Sequence, residues 1–151
     1  MEHENKFPSS PLTIEHFVFD EISFKRIGFH KDGDELQTSF AVNVQKDSAD
    51  HYRVTFLVSV TKQEEYEASV QMTGYCQVDP ETQGLDVLLN ENVPAILLPY
   101  IRAQLTLLTS QPETMPAILP VINVHDLIQQ AKDEQKNSQN LSQQSEASQQ
   151  K

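Results

Sequence analysis

Tyr52-Arg53-Val54-Thr55-Phe56-Leu57-Val58-Ser59-Val60-Thr61 alternates without a break, with Tyr52, Val54, Phe56, Val58 and Val60 on one side and Arg53, Thr55, Leu57, Ser59 and Thr61 on the other. A period of two built from β-branched and aromatic residues marks a strand buried on one face. Hiding each large apolar side chain on that face contributes about 1.5–3 kcal/mol. The rest of the chain must supply the strand's neighbours and its cover.

The neighbours lie on either side in sequence. Leu36 to Gln45 alternates in the same way, with Leu36, Phe40, Val42 and Val44 opposite Gln37, Ser39, Asn43 and Gln45. Tyr66 to Val78 puts Tyr66, Ala68, Val70, Met72, Cys76 and Val78 on one face, and Gly74 in its middle marks a bend or a close backbone approach. The polar connections Lys46-Asp47-Ser48-Ala49-Asp50 and Lys62-Gln63-Glu64-Glu65 are of hairpin length, so these strands pair antiparallel.

Further upstream, Leu12 to Phe24 reads as a strand whose phase conflicts. Leu12, Ile14, Val18, Ile22 and Phe24 agree, whereas Phe17 and Phe19 fall opposite. A β-bulge near His16 or Asp20 resolves the conflict locally, and a second surface covered by another subunit resolves it globally. Lys25 to Glu35, with Gly28, Gly33 and many charges, is a loop. Its Ile27 and Phe29 either tuck beneath it or form an apolar contact surface.

After Asp79-Pro80-Glu81-Thr82-Gln83-Gly84, which is turn chemistry, the period changes. Leu97, Tyr100, Ile101, Leu105 and Leu108 recur at helical spacing, with Asn92 as a candidate N-cap and Pro94 in the first turn. Pro99 kinks this helix or opens its main body. Ile96, Leu98 and Leu107 make it apolar nearly all round, which predicts a helix covered on both sides. Pro112, Pro116 and Pro120 impose an extended link. Asn123 then caps a last, short helix carrying Val124, Leu127, Ile128 and Ala131, with Asp126 echoing a capping box. Beyond Gln135 the chain is Gln, Ser, Asn and Lys, a composition that predicts a disordered tail.

Composition narrows the function. A chain of 151 residues suits one domain. The reading is a soluble α+β fold: a lead-in over residues 1–11, a domain over 12–135 and a polar tail over 136–151. A formal net charge of −11 opposes binding to nucleic acid or anionic lipid. Cys76 is the only cysteine, so no internal disulfide is expected and a buried, inert thiol is. Met1-Glu2-His3-Glu4-Asn5-Lys6 is acidic where a signal peptide is basic, and the run Val93 to Ile101 is too short for a membrane span, so a cytoplasmic protein with no membrane insertion is expected. No phosphate loop, paired-cysteine spacing or nucleophile elbow occurs, and histidines 3, 16, 30, 51 and 125 show no ligand spacing. The reading is therefore a non-enzyme without metal or cofactor, with His16 as a structural histidine.

The order of elements, together with Ile22-Ser23-Phe24, the strand from Tyr52, Pro99-Tyr100, and Pro120-Val121 leading through Asn123 to Leu127, resembles the SecB family of bacterial export chaperones over residues 12–130. That resemblance implies a homotetramer, a dimer of dimers with long helices between two sheets, and ATP-independent binding of unfolded polypeptides, preproteins for export among them. It places a client-binding groove at Tyr66, Ile128, Ile27 and Phe29, with Ile128 standing where an aromatic is usual. It also places a docking face for the export motor SecA at Glu21, Lys25 and Ser69, where one acid is kept, one is replaced by a base and one by a hydroxyl. Other readings are a SecB-like chaperone dedicated to one partner, such as an antitoxin, and a small ligand-binding α+β domain.

Overall fold

The computed structural model describes residues 10–33 and 35–147, with side chains described as far as residue 138. Most of the expected lead-in and the last four residues of the tail lie outside the described residues. The chain divides into two compact units, Met1–Leu119 and Pro120–Lys151.

The first unit is one antiparallel sheet of β1 (Leu12–Arg26), β2 (Leu36–Lys46), β3 (His51–Lys62) and β4 (Tyr66–Val78) in the order β1-β4-β3-β2. The hairpins β2–β3 and β3–β4 are those the connecting loops predict, and β1 crosses over to pair with β4 rather than with β2. The alternation of β3 is fully realised: Tyr52, Val54, Phe56, Val58 and Val60 are buried, as are Tyr66, Ala68, Val70, Met72, Cys76 and Val78 of β4.

The phase conflict in β1 is settled by two bulges. The register against β4 shifts between Ile14 and His16 and again between Phe19 and Glu21, leaving Glu15 and Asp20 as the extra residues. Each bulge turns the strand over once. Leu12, Ile14, Phe17, Phe19, Ile22 and Phe24 therefore pair with Val78, Cys76, Gly74, Met72, Val70 and Ala68, and all face the same way as the core of β4. Val18, placed in phase with these by sequence, faces the opposite side beside Thr73. At the second bulge the Thr73 hydroxyl donates to the Asp20 carboxylate at 2.6 Å and meets Thr55 Oγ1 at 2.9 Å.

The helical cover begins earlier than sequence suggests. Gly84, at φ 73°, starts α1 (Leu85–Val87), which runs through a π-helical turn over Leu88–Asn92 into α2 (Val93–Thr109). Asn92 is itself helical and makes no side-chain cap, correcting its reading as an N-cap. The widened turn lies where Pro94 has no N–H to give and its ring crowds the preceding turn. Pro99 sits inside α2, which continues past it. Val93, Leu97, Leu98, Ile101 and Leu105 are buried. The helix comes so close to β4 that a methyl group at Gly74 would lie 3.3 Å from Val93 Cγ1, which explains the glycine in mid-strand.

The opposite side of α2 is open among the described residues of the first unit. Ile96 and Tyr100 are about half exposed and Leu107 more so, and with the exposed Ala103 they form a stripe at spacings of four, three and four. Tyr100 packs against Phe17 of β1 with centroids 4.7 Å apart and the rings tilted by 46°, and Phe17, Phe19 and Ile22 are likewise exposed.

The proline-rich link is extended and is tied down by side chains. Arg102 donates to the Leu119 carbonyl at 3.0 Å, Thr106 donates to the Ala117 carbonyl at 2.9 Å, and the Ala117 amide donates to Thr109 Oγ1 at 2.7 Å.

In the second unit, α3 spans Val124–Ala147. The Asn123 side chain accepts the His125 amide at 3.1 Å, so the expected cap is present. The helix continues past Gln135, where composition placed a disordered tail, and residues 129–138 are exposed along its whole girth. Gln, Lys, Glu and Ala are good helix formers, and no Gly or Pro interrupts residues 124–147. Helix propensity and burial are separate matters, and a composition that cannot pack can still be helical.

Candidate binding site

The β3–β4 turn is the point where three separate segments meet. Its residues read as a polar hairpin loop, yet Lys62 and Glu65 are buried, and Glu65 is completely so. Glu64 takes the positive φ of 58° that the tight turn requires. The Glu65 carbonyl accepts the amides of Ile27 at 2.9 Å and Gly28 at 3.1 Å. Its carboxylate accepts Lys62 Nζ at 2.8 Å and the Met115 amide at 3.4 Å, and meets His30 Nδ1 at 3.3 Å. Burial alone would raise the Glu65 pKa, but the bonds from Lys62, Met115 and His30 outweigh it and hold the pKa below the ordinary carboxylate range.

The loop after β1 is pressed onto this turn. A methyl group at Gly28 would lie 2.4 Å from the Glu64 carbonyl oxygen, so only glycine permits the approach. Lys31 pairs with Glu64, and His30 Nε2 reaches Asp32 at 3.1 Å. Arg26 ties the loop to the link: its guanidinium donates to the Gly28 carbonyl at 3.0 Å, to the Pro112 carbonyl at 2.7 Å and to Thr114 Oγ1. Two apolar segments thus flank one turn, and both are open. Ile27 is 50% and Phe29 73% exposed on the loop, and Met115 is 55% exposed on the link.

Tyr66 lies beneath them. It is wholly buried, stacked on Phe24 with centroids 5.6 Å apart, and its hydroxyl donates to the Met115 carbonyl at 3.3 Å. Its side chain supports the two segments from the core side and presents no open surface in the single chain. Sequence reasoning placed Tyr66, Ile27, Phe29 and Ile128 in one site; the first three belong to segments that adjoin the turn. It missed Met115, Arg26, His30 and Glu65. Ile128 belongs to the second unit, where it is half-buried on α3.

Glu21, Lys25 and Ser69 share the other face of the sheet. Glu21 lies opposite Gln71, Lys25 opposite Glu67, and Ser69 between Ser23 and Ser59. The serine row continues to Ser39, and an open depression of about 240 Å3 is lined by Ser23, Lys25, Ser59, Thr61, Glu67 and Ser69. Glu21 and Lys25 are exposed and Ser69 half-buried. The basic Lys25 thus stands against an acid of its own sheet.

The remaining candidates are local. His16 stacks on Tyr75 at 4.4 Å. Cys76 is buried, which pushes its thiol up to about 11, with Glu15 adding to the effect. Among the described residues no His, Cys, Asp and Glu group could hold a metal ion, and no helix is long and apolar enough to cross a membrane.

The family model of SecB, described as a preprotein translocase subunit, matches residues 8–135. The chain belongs to the SecB family. Members of the SecB family are chaperones, which supports a chaperone role for this chain. Among solved structures, a SecB-like chaperone of Mycobacterium tuberculosis, Rv1957, in complex with a ChAD peptide from the Rv1956 HigA1 antitoxin, is similar at 18% identity and a TM-score of 0.61, covering 74% of this chain and 90% of that one. A Streptococcus agalactiae protein of unknown function is similar at 11% identity and a TM-score of 0.43, covering 74% of this chain and 97% of that one. Comparison with curated proteins finds no match.

Proposed function

We propose that this SecB-family chain is an ATP-independent holdase that captures unfolded polypeptides, preproteins for export among them, and delays their folding or aggregation in the cytoplasm. The observation that carries the reading is the ledge of Ile27, Phe29 and Met115. Large apolar side chains are held open to solvent by a hydrogen-bonded framework, when a chain folding for itself alone would bury them. Unfolded segments offer apolar side chains of their own, and their contact with the ledge requires no nucleotide. Tyr66 backs the ledge, and Ile128, on α3 of the second unit, is a separate proposed client contact.

The proposed assembly is a homotetramer, a dimer of dimers. The stripe Ile96, Tyr100, Ala103 and Leu107, beside Phe17, Phe19 and Ile22, is a contiguous apolar face whose natural occupant is a second copy of the same face. A second reading, a chaperone dedicated to one partner such as an antitoxin, is favoured by Lys25. A base opposite Glu67 on the proposed SecA-docking face makes that face less acidic than standard docking requires.

Light scattering of a thermally aggregating client tests the holdase reading. The purified protein at stoichiometric concentration, without nucleotide, should suppress the signal. An unchanged aggregation curve would remove the general holdase and leave the dedicated-partner reading.

A further inference from the structure

Three separate parts of the chain end on Glu65. Its main-chain oxygen holds the loop that carries Ile27 and Phe29, and its side-chain oxygens hold the link that carries Met115. Lys62, at the end of β3, neutralises the carboxylate from within the sheet, and His30 reaches it from the loop. Gly28 adds a steric condition, since the loop lies against the Glu64 carbonyl with no room for a Cβ. A buried, completely hydrogen-bonded carboxylate at an exposed hairpin is costly to place and is not needed to close a turn. Simple turn formation leaves it without an explanation.

We infer that Glu65 and Gly28 are positioning residues for client binding: together they hold the Ile27–Phe29 segment and the Met115 segment at a fixed separation before any client arrives. The inference rests on the holdase reading and adds to it which residues set the shape of the ledge. A surface ordered in advance spends less of its contact free energy on ordering itself. Neither residue touches the client. Glu65 acts through Met115 and His30, and Gly28 through the seat of the loop.

The test uses the full chain and a permanently unfolded probe, fluorescein-labelled, reduced and carboxymethylated α-lactalbumin. Three quantities are read for the wild type, Glu65→Gln, Gly28→Ala and the double variant: probe affinity, melting temperature, and amide exchange at Ile27, Gly28 and Met115. Each single variant should raise the dissociation constant about tenfold, equivalent to 1.4 kcal/mol. Exchange should quicken at Met115 in Glu65→Gln and at Ile27 in Gly28→Ala, and slow again with bound probe. The double variant should lose less than the product of the two, as members of one device do. If Glu65→Gln fails to fold, Gly28→Ala decides alone. Unchanged affinity beside a lowered melting temperature would make both residues merely structural and overturn the inference with the holdase reading intact. Failure of the wild type to bind the probe would instead remove that reading.

Discussion

Lys62 Nζ and Glu65 Oε2 lie 2.8 Å apart across the β3–β4 turn, both side chains almost wholly removed from water. A buried pair of this kind is weak evidence for stability, because desolvation offsets the attraction, but losing one partner leaves a buried charge. Glu65 carries a lowered pKa in the folded state, so it contributes stability above its unfolded value of 4.5, and that stability is lost as pH falls through the folded value. The melting temperature of the wild type should therefore drop as pH falls below about 4.5, and the drop should be shallower in Glu65→Gln. Calorimetry over pH 3–7, a window set by ordinary carboxylate titration at about 4, makes the comparison. Parallel profiles would show that other carboxylates govern acid unfolding.

The uncovered face of α2 predicts how assembly can be broken without unfolding the chain. Tyr100→Glu combined with Leu107→Glu places two charges on side chains that are already exposed, so the fold should survive while a tetramer falls apart. Sedimentation velocity should show the smaller species with an unchanged circular dichroism spectrum. A wild type that sediments as a monomer at micromolar concentration would remove the proposed assembly altogether.

Tyr66 and Phe29 should separate cleanly. Tyr66→Ser empties a fully buried site and should cost about 3–5 kcal/mol, as large core truncations do. Phe29→Ser should weaken client retention several-fold with the melting temperature within about a degree or two, since surface changes usually stay within ±0.5 kcal/mol, and Ile128→Ser, at a half-buried position on α3, should weaken retention with a modest loss of stability. A client affinity insensitive to Phe29→Ser would mean that clients bind elsewhere.

Truncation before Lys136 removes the polar part of α3, whose described side chains are all exposed. Folding and client holding should persist, with an unchanged melting temperature. A fall of several degrees would show that this stretch docks on other parts of the assembly.

The outer face of the sheet predicts weak docking to SecA. Lys25→Glu would restore an acid and should produce or strengthen a salt-sensitive interaction. Tight binding of the unaltered protein, abolished by Glu21→Ala, would return the chain to the ordinary export role.

Much of this architecture was legible because burial in a sheet writes itself at a period of two. The cores of β3 and β4 were recovered residue by residue, and Gly74 marked a bend or a close approach, of which α2 supplies the second. Pairing of β1 with β4 was not legible, since loop length speaks only for neighbours in sequence. The bulges showed as a contradiction between Phe17 and Val18 that pattern alone could locate but not resolve. Glu65 escaped for a different reason: a charged residue in a hairpin looks solvated until the partners that bury it, Met115 and His30, arrive from 50 and 35 residues away. The resemblance supplied Tyr66 and Ile128 by position, and it could not say that Tyr66 faces inward.

The double bulge of β1 has a consequence for insertions and deletions. Each bulge absorbs one extra residue, so the phase of the sequence shifts at Glu15 and again at Asp20 while the apolar residues from Leu12 to Phe24 that pair with the core side of β4 keep facing the helix. Deleting Asp20 alone would leave Phe19, Glu21 and Ile22 in regular alternation against Met72, Gln71 and Val70, and deleting Glu15 would do the same for Ile14, His16 and Phe17 against Cys76, Tyr75 and Gly74, so all six apolar residues would still face the helix. Loss of either bulged residue is therefore tolerable by itself, whereas deleting a paired residue such as Val18 would put one side of the strand out of phase. A relative lacking both bulges would align here with two separate gaps while preserving the same face.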